Sequence, residues 1–446
     1  MDERQKPNLE DCGDGTIFFQ PADHINDLQE MAAPAENPVE DRLESAQELP
    51  SLFPEEPRPS QEPTLPPTVV ERPRKKKTSG IWKVLLVVGK LLFGLLLACC
   101  VLVVGLVGYL TVTEYNPAFA EQAQRGGVSS NTAVTDTNLR IVTFNTGYAA
   151  LGEDADFFMD GGKGVNPDDP ELVVENMIGI RNILKRVEAD VILLQEVDTD
   201  SARSFHQNQW LQYEYDLEDY ESRFALNYSC DFVPYPVPRM MGKVQSGIAT
   251  YSRFDISSAT RYSLPCPFSW PARAANLKRC MLVTRIPIEN ITVTDEDGAA
   301  YKELVVVNVH LEAYDDGEGK AAQTKQVLDF IQAEYAKGNY VIVGGDFNQT
   351  FPNAVGIYPI KDKKLWAPGV LEELPQDWKY VYDGSEPTCR LLNQPYDPDD
   401  DDTQYYIIDG FIVSPNITVN TVETLDEDFL YSDHNPVVME ITLKIE

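Results

Sequence analysis

Hydrophobic and polar positions divide the chain into stretches of different character. Residues 1–78 show no sustained apolar period and are rich in Pro, Glu and Asp. Such a stretch cannot bury enough apolar surface to offset its ordering entropy, and it reads as a disordered acidic tail. An unbroken apolar stretch then reaches full strength from Leu91 to Leu110. About twenty residues without a charge match the hydrocarbon thickness of a bilayer, so a transmembrane helix is predicted over 81–110. Lys83 and Lys90 fall on its flank, where their stems snorkel toward the headgroups. The run is too long and too far from Met1 for a signal peptide. Residues 111–136 are small and polar and read as a linker.

From 137 to 446 the periods are those of a folded domain. Strand-like apolar runs cover 139–144, 190–197, 247–251, 281–288, 304–311, 340–344, 406–413 and 436–445. Asp295-Glu296-Asp297-Gly298 supplies turn chemistry between two of them. Helical spacing links Leu172, Val173, Met177, Ile180, Ile183, Leu184 and Val187, and again Val327, Leu328, Ile331 and Tyr335, with Gly338 as a stop. Strands with interspersed helices predict an α/β architecture of two packed sheets with helices outside.

Charge refines this picture. Arg72-Pro73-Arg74-Lys75-Lys76-Lys77 precedes the apolar run and a basic-poor stretch follows it. The positive-inside rule then predicts a single-pass protein with a cytoplasmic N-terminus and an extracellular folded domain. A net charge of -34 and a pI near 4.4 disfavour a protein that coats nucleic acid. Divalent cations bridge like charges, so a nuclease is not excluded. The seven cysteines include no CxxC and no zinc-spaced Cys/His cluster. With an oxidising exterior, Cys266 and Cys280 are the candidate disulfide, and the states of Cys230 and Cys389 stay open.

Polar residues recur at strand ends, where a sheet delivers side chains to one rim. Asn145 ends RIVTFN, Glu196 lies in LLQEVD, His310 ends LVVVNVH, and Asp346 and Asn348 stand in GGDFN. Asp409 lies in YYIIDGF, and Asp433 and His434 precede the final strand in YSDHNP. Taken singly, each reads equally as a strand meeting solvent, a turn, or a structural histidine. The ordered set NTG, LQEVD, NVHL, GGDFN, IIDGF and SDHNP resembles the endonuclease/exonuclease/phosphatase superfamily, which includes DNase I-like nucleases, sphingomyelinases and inositol polyphosphate phosphatases. The resemblance spans about 139–446 and implies a four-layer α/β/β/α sandwich.

It also implies roles. A phosphodiester repels nucleophiles, so its hydrolysis needs a cation and hydrogen-bond donors on the phosphoryl oxygens. Mg²⁺, for which Mn²⁺ can substitute, takes oxygen ligands and keeps several waters. The family pattern puts Glu196 on that ion with Asn145 beside it, and Asp433 at a second metal position or behind the ligands. His434 becomes the base or the phosphate-polarising group, with Asp409 fixing its tautomer. Asp346, steered by Asn348, orients the attacking water or protonates the leaving oxygen, and His310 donates to a non-bridging oxygen. No member of the set is replaced by an inert residue.

Other features stay two-sided. Arg203 reads as a substrate-phosphate contact or a surface arginine. Lys163, in Gly161-Gly162-Lys163-Gly164, belongs to a substrate loop or an ordinary one, since P-loop spacing is lacking. Arg273, Lys278 and Arg279 form an anionic-substrate patch or a solvated loop, with the loop favoured. Asp397–Asp402 reads as a solvated charge run ahead of a Ca²⁺ site. The expectation is a membrane-anchored, externally facing Mg²⁺-dependent phosphoester hydrolase acting on a small or lipid-like phosphodiester. An extracellular DNase-like nuclease is the alternative. A catalytically silent scaffold, with the tail recruiting partners, is the rival from another class.

Overall fold

The structure, a computed structural model, describes residues 80–295, 298–315 and 317–444, with side chains outside 290–301. The acidic tail and its basic cluster lie outside the described residues. Helix α1 (Gly80–Val112) carries no acidic residue in its first turn and is exposed along nearly all its length. It is long and apolar enough to cross a membrane. Strands β1 (Ala120–Gln122), β2 (Gln124–Gly127) and β3 (Asn138–Asn145) follow, then α2 (Pro170–Val187), β4 (Val191–Asp198) and α3 (Gln209–Asp216). Next come β5 (Glu221–Val233), β6 (Gly242–Ser252), β7 (Ser258–Ser263), β8 (Cys280–Asp295), β9 (Gly298–His310) and α4 (Glu318–Ala336). The remainder comprises β10 (Tyr340–Asp346), β11 (Gln349–Thr350), β12 (Gly369–Val370), β13 (Lys379–Val381), β14 (Cys389–Arg390), β15 (Tyr405–Tyr406), β16 (Asp409–Val413), β17 (Ile417–Thr424) and β18 (Val437–Leu443).

Two seven-stranded sheets result, ordered β1-β7-β8-β9-β10-β16-β13 and β17-β18-β3-β4-β6-β5-β2. Their central strands are apolar on both faces because both faces are covered. On β3 and β4, Ile141, Val191 and Leu193 point between the sheets, while Val142, Ile192 and Leu194 pack under α2. On β9 and β10, Val306 and Ile342 point inward, while Val305, Val307, Val341 and Val343 pack under Val327 and Ile331 of α4. The layers are therefore α/β/β/α. One polar bridge spans the inner face: Gln195 Nε2 donates to Asn308 Oδ1 at 2.8 Å, and Asn308 Nδ2 donates to the Leu194 and Ala249 carbonyls.

Two expectations need correction. The segment 111–136 is not a free linker: β1 pairs with the edge strand β7, and β2 with β5. Backbone pairing recruits this polar stretch, and a search for apolar periods does not see it. The end of α1 is also packed on the domain. Leu106 and Leu110 join a cluster with Tyr228, Val233 and Ala274, and Tyr109 donates to Asp231 Oδ2 at 2.8 Å. Trp270 Nε1 donates to Thr111 Oγ1 at 2.9 Å, and Glu114 pairs with Arg273 at 2.9 Å and Lys278 at 3.2 Å. The second correction is the disulfide, because Cys266 and Cys280 are both free. Cys280 opens β8 opposite Ser263 and faces the inter-sheet core, whereas Cys266 lies beyond that pairing, its Sγ against the Leu277 carbonyl.

Candidate active site

Strand direction assembles the site. β3 and β4 run parallel, as do β9 and β10, so their C-terminal ends share one rim. β16 and β18 run antiparallel to β10 and β3, which brings their starts to the same rim. Asn145, Glu196, His310, Asp346, Asn348, Asp409, Asp433 and His434 all converge on one cavity or its floor. Glu196 sits where the β4–β6 register shifts between Leu194 and Val197, with φ +54°. A bulge with a left-handed residue costs backbone energy and turns the carboxylate out of the pleat toward the rim.

At its centre, Asn145 Nδ2 lies 3.0 Å from Asp346 Oδ2, 3.2 Å from Glu196 Oε1 and 3.4 Å from His434 Nε2. Asn145 Oδ1 meanwhile accepts from the Gly147 N–H at 3.1 Å. Asn145 here turns its NH₂ to the carboxylates and its oxygen to the Gly147 N–H. Asp346 Oδ1 accepts from the Asn348 N–H at 2.8 Å, and Asn348 Nδ2 holds the Leu311 carbonyl at 2.9 Å. His310 Nε2 lies 3.4 Å, and His434 Nε2 3.9 Å, from Asp346 Oδ2. His434 Nδ1 is 2.9 Å from Asp409 Oδ2.

Burial and neighbouring charges separate the protonation states. Burial alone would push His434 down, but the Asp409 carboxylate, with Cys389 and Asp433, holds it well above the ordinary imidazole value. Burial and then the Arg279 charge drive His310 well below it. The two histidines are therefore pushed in opposite directions, His434 toward its charged form and His310 toward its neutral one. Burial, then the Asp409 charge, raises Asp346 to about 6. Burial raises Asp433 to about 7, with His434 opposing and the Glu196 charge adding to the rise.

That repulsion between Glu196 and Asp433 is what a divalent cation would relieve, and their all-oxygen donor set suits a hard ion. Two other triplets bring ligand atoms within 4.8 Å of one another: Cys389, Asp433 and His434, and Asp346, Asp409 and His434. Both include His434, whose Nδ1 already faces Asp409 Oδ2 at 2.9 Å.

The remaining candidates separate clearly. Arg203 is buried, chelates Asp198 at 2.9 and 3.1 Å and stacks on Tyr148 with 3.6 Å to the ring centroid. It is thus not a surface arginine: Nε and Nη2 face Asp198, and the residue lines the same cavity as the rim. Lys163 is exposed in a neighbouring depression, and its loop is folded back on Asp156, which accepts from Lys163 N and Gly164 N. The favoured solvated loop at Arg273, Lys278 and Arg279 is overturned: Lys278 and Arg279 are buried. Arg279 lines the cavity, donates to the His310 carbonyl at 3.2 Å and faces Glu312 at 3.6 Å. The antiparallel pairing of β8 with β9 places its start beside His310, so the strand-end logic that found the other residues extends to Arg279. Asp160 and Tyr314, joined at 2.9 Å inside the cavity, come from loops that carry no strand signal. In the acidic run, Asp397 and Asp400 accept from Asp399 N and Asp402 N, as in ordinary turns.

The profile of the Endonuclease/Exonuclease/phosphatase family matches residues 142–434, which include every residue of this rim. No curated protein sequence matches the chain. Among similar solved structures is an endonuclease/exonuclease/phosphatase from Beutenbergia cavernae DSM 12333, at 19% identity, 69% of this chain, 72% of that one and TM-score 0.46. Another, from Bacteroides vulgatus, has 16% identity, 69% and 99% coverage and TM-score 0.42. Truncated Caenorhabditis elegans TDP2 has 15% identity, 68% and 98% coverage and TM-score 0.41. The chain belongs to the endonuclease/exonuclease/phosphatase family and is a metal-dependent phosphoric ester hydrolase.

Proposed function

We propose that the protein is a membrane-anchored, externally facing, Mg²⁺-dependent phosphodiesterase acting on a small or lipid-like phosphoester. The observation that carries this reading is the rim itself: two histidines pushed in opposite directions by their surroundings line one cavity together with the carboxylates of Glu196, Asp346 and Asp433. Glu196 and Asp433 are the residues that would hold the ion, whose charge would polarise the phosphoryl oxygens. Asp346, its oxygens fixed by the Asn348 N–H and Asn145 Nδ2, orients the attacking water and takes its proton. His434 donates from Nε2 to a non-bridging oxygen, and Asp409 keeps it charged and aligned. His310 offers one N–H to the same phosphoryl group. Asn145 holds the Glu196 and Asp346 carboxylates apart at a fixed spacing.

The basic cluster at 72–77 and the apolar run support a cytoplasmic tail and an external domain. The acidic composition weighs against nucleic acid as substrate. The test incubates the full chain with Mg²⁺ or Mn²⁺ and plasmid DNA, RNA, phospholipid vesicles, inositol phosphates and nucleotides, with His434→Ala as control. Product release from one class, absent in the control, is expected. Tight metal binding without hydrolysis of any phosphoester would overturn the reading.

A further inference from the structure

The cavity above the rim encloses about 660 Å³, far more than a phosphate group fills. Glu196, Asp433 and His434 mark its catalytic end, and Asn227, Ser246, Ser269 and Asn276 also line it. Beyond them the wall is made by Phe157, Phe158, Val233, Met241, Ala275 and Leu277. A pocket for a nucleoside or sugar phosphate needs donors and acceptors along its length, and this one offers mainly aliphatic and aromatic carbon. Its lining also includes Val107 and Leu110, which belong to the last turns of α1. The catalytic residues and the membrane helix thus share one continuous apolar lane.

Two further observations fix where that lane opens. The end of α1 is clamped to the domain through Tyr109–Asp231, Thr111–Trp270 and the Glu114 ion pairs, so the lane is held beside the end of this apolar helix. The lane also carries apolar side chains turned to the outside. Tyr235 is 59% and Trp270 57% exposed, with Met159 at 41%, and the three come from separate segments. Exposed aromatics beside the end of a spanning helix occupy the headgroup boundary of a bilayer.

We propose that this lane takes the apolar tail of a membrane lipid, so that the phosphoester cleaved is a phospholipid-type phosphodiester drawn sideways from the leaflet in which α1 ends. The proposal rests on the phosphodiesterase reading above and names its substrate class. A lipid fits better than an apolar peptide because the lane ends on phosphoryl chemistry, which a peptide would leave unused. In the reaction, a water oxygen bonds to phosphorus and the P–O bond to one alcohol breaks. The water's proton passes to that alcohol, leaving a phosphomonoester.

The test reconstitutes the full chain in phosphatidylcholine–phosphatidylglycerol vesicles containing phosphatidylcholine with a diazirine at the end of one acyl chain. After illumination, labelled residues are mapped by mass spectrometry. Labelling within 233–241 and 268–277, in addition to α1, is expected, and Ala275→Phe is expected to reduce the lane signal severalfold relative to α1. Label confined to α1 overturns the proposal, and this wild-type pattern decides even if the variant fails to fold. Hydrolysis of bis(p-nitrophenyl) phosphate with Mg²⁺, lost in His434→Ala, is measured in parallel. Soluble-ester hydrolysis with label confined to α1 leaves the hydrolase reading standing and removes the lipid. A labelled lane without hydrolysis of either ester overturns the hydrolase reading and the substrate assignment with it.

Discussion

His434 and Asp409 are joined by one buried contact, Nδ1 to Oδ2 at 2.9 Å, while Asp409 Oδ1 has no hydrogen-bond partner. The Asp409 carboxylate is the main charge that lifts His434 above the ordinary imidazole value against the opposing effect of burial. Asp409→Asn keeps the shape and removes the charge. We expect kcat to fall by about 10²-fold or more, because a neutral His434 loses its donating role. The thermal midpoint should stay nearly unchanged. Rates and circular-dichroism melting on the same preparation check this, and a lost fold would make Asp409 structural.

Glu196 is the carboxylate whose backbone is strained to face the rim, and Asn145 at 3.2 Å is its side-chain hydrogen-bond partner. Glu196→Ala is expected to weaken Mn²⁺ binding in calorimetry. The rate should fall by about 10²-fold or more, since the ion supplies several kcal/mol of transition-state stabilisation. Wild-type turnover with unchanged metal affinity would remove Glu196 from the metal site.

The layering was legible in the sequence because buried strands write it twice, once as apolar runs and once as polar residues at their ends. β3, β4, β9 and β10 fall on predicted runs for this reason. β5 and β17 were not found: in both, polar residues interrupt the apolar ones, and β17 lies at a sheet edge with much of its length exposed. The eight-residue α3 is too short to establish a helical period. Among site residues, those attached to a strand end were visible and Asp160 and Tyr314 were not. The apolar lane was also invisible, because it is built from single side chains of distant segments that meet only after folding.

Cys280 and Cys266 differ in environment although only a short loop and a 3₁₀ turn separate them. Burial pushes the Cys280 thiol up to about 11, and its side chain is sealed between the sheets. Cys266 is partly exposed. Native-state alkylation at pH 8 should label Cys266 and spare Cys280, and reductant should leave the intact mass unchanged. Access favours Cys266, and the raised value of Cys280 keeps that thiol protonated at pH 8. A mass increase of about two daltons on reduction, the hydrogens added to a bridge, would reinstate the disulfide.

Glu334 on α4 receives Arg285 at 2.7 Å, Lys337 at 2.8 Å and Asn339 at 2.9 Å while almost fully buried. Burial alone would raise its carboxyl, but the Arg285 and Lys337 hydrogen bonds and charges overcome it and lower the group below its ordinary 4.5. A carboxylate with a depressed folded-state value binds protons more readily when unfolded. Its stabilisation is therefore complete above the ordinary value and is lost as pH falls through the lower folded one. Glu334→Gln should cost about 1.5–3 kcal/mol near pH 7, the range for hydrogen bonds to charged groups. The gap between variant and parent should hold down to about pH 5 and close as the solution becomes more acidic. Chemical unfolding of both full chains in detergent micelles across that range measures it. A gap that persists undiminished under strongly acidic conditions would show that Glu334 acts through packing, with no part for its charge.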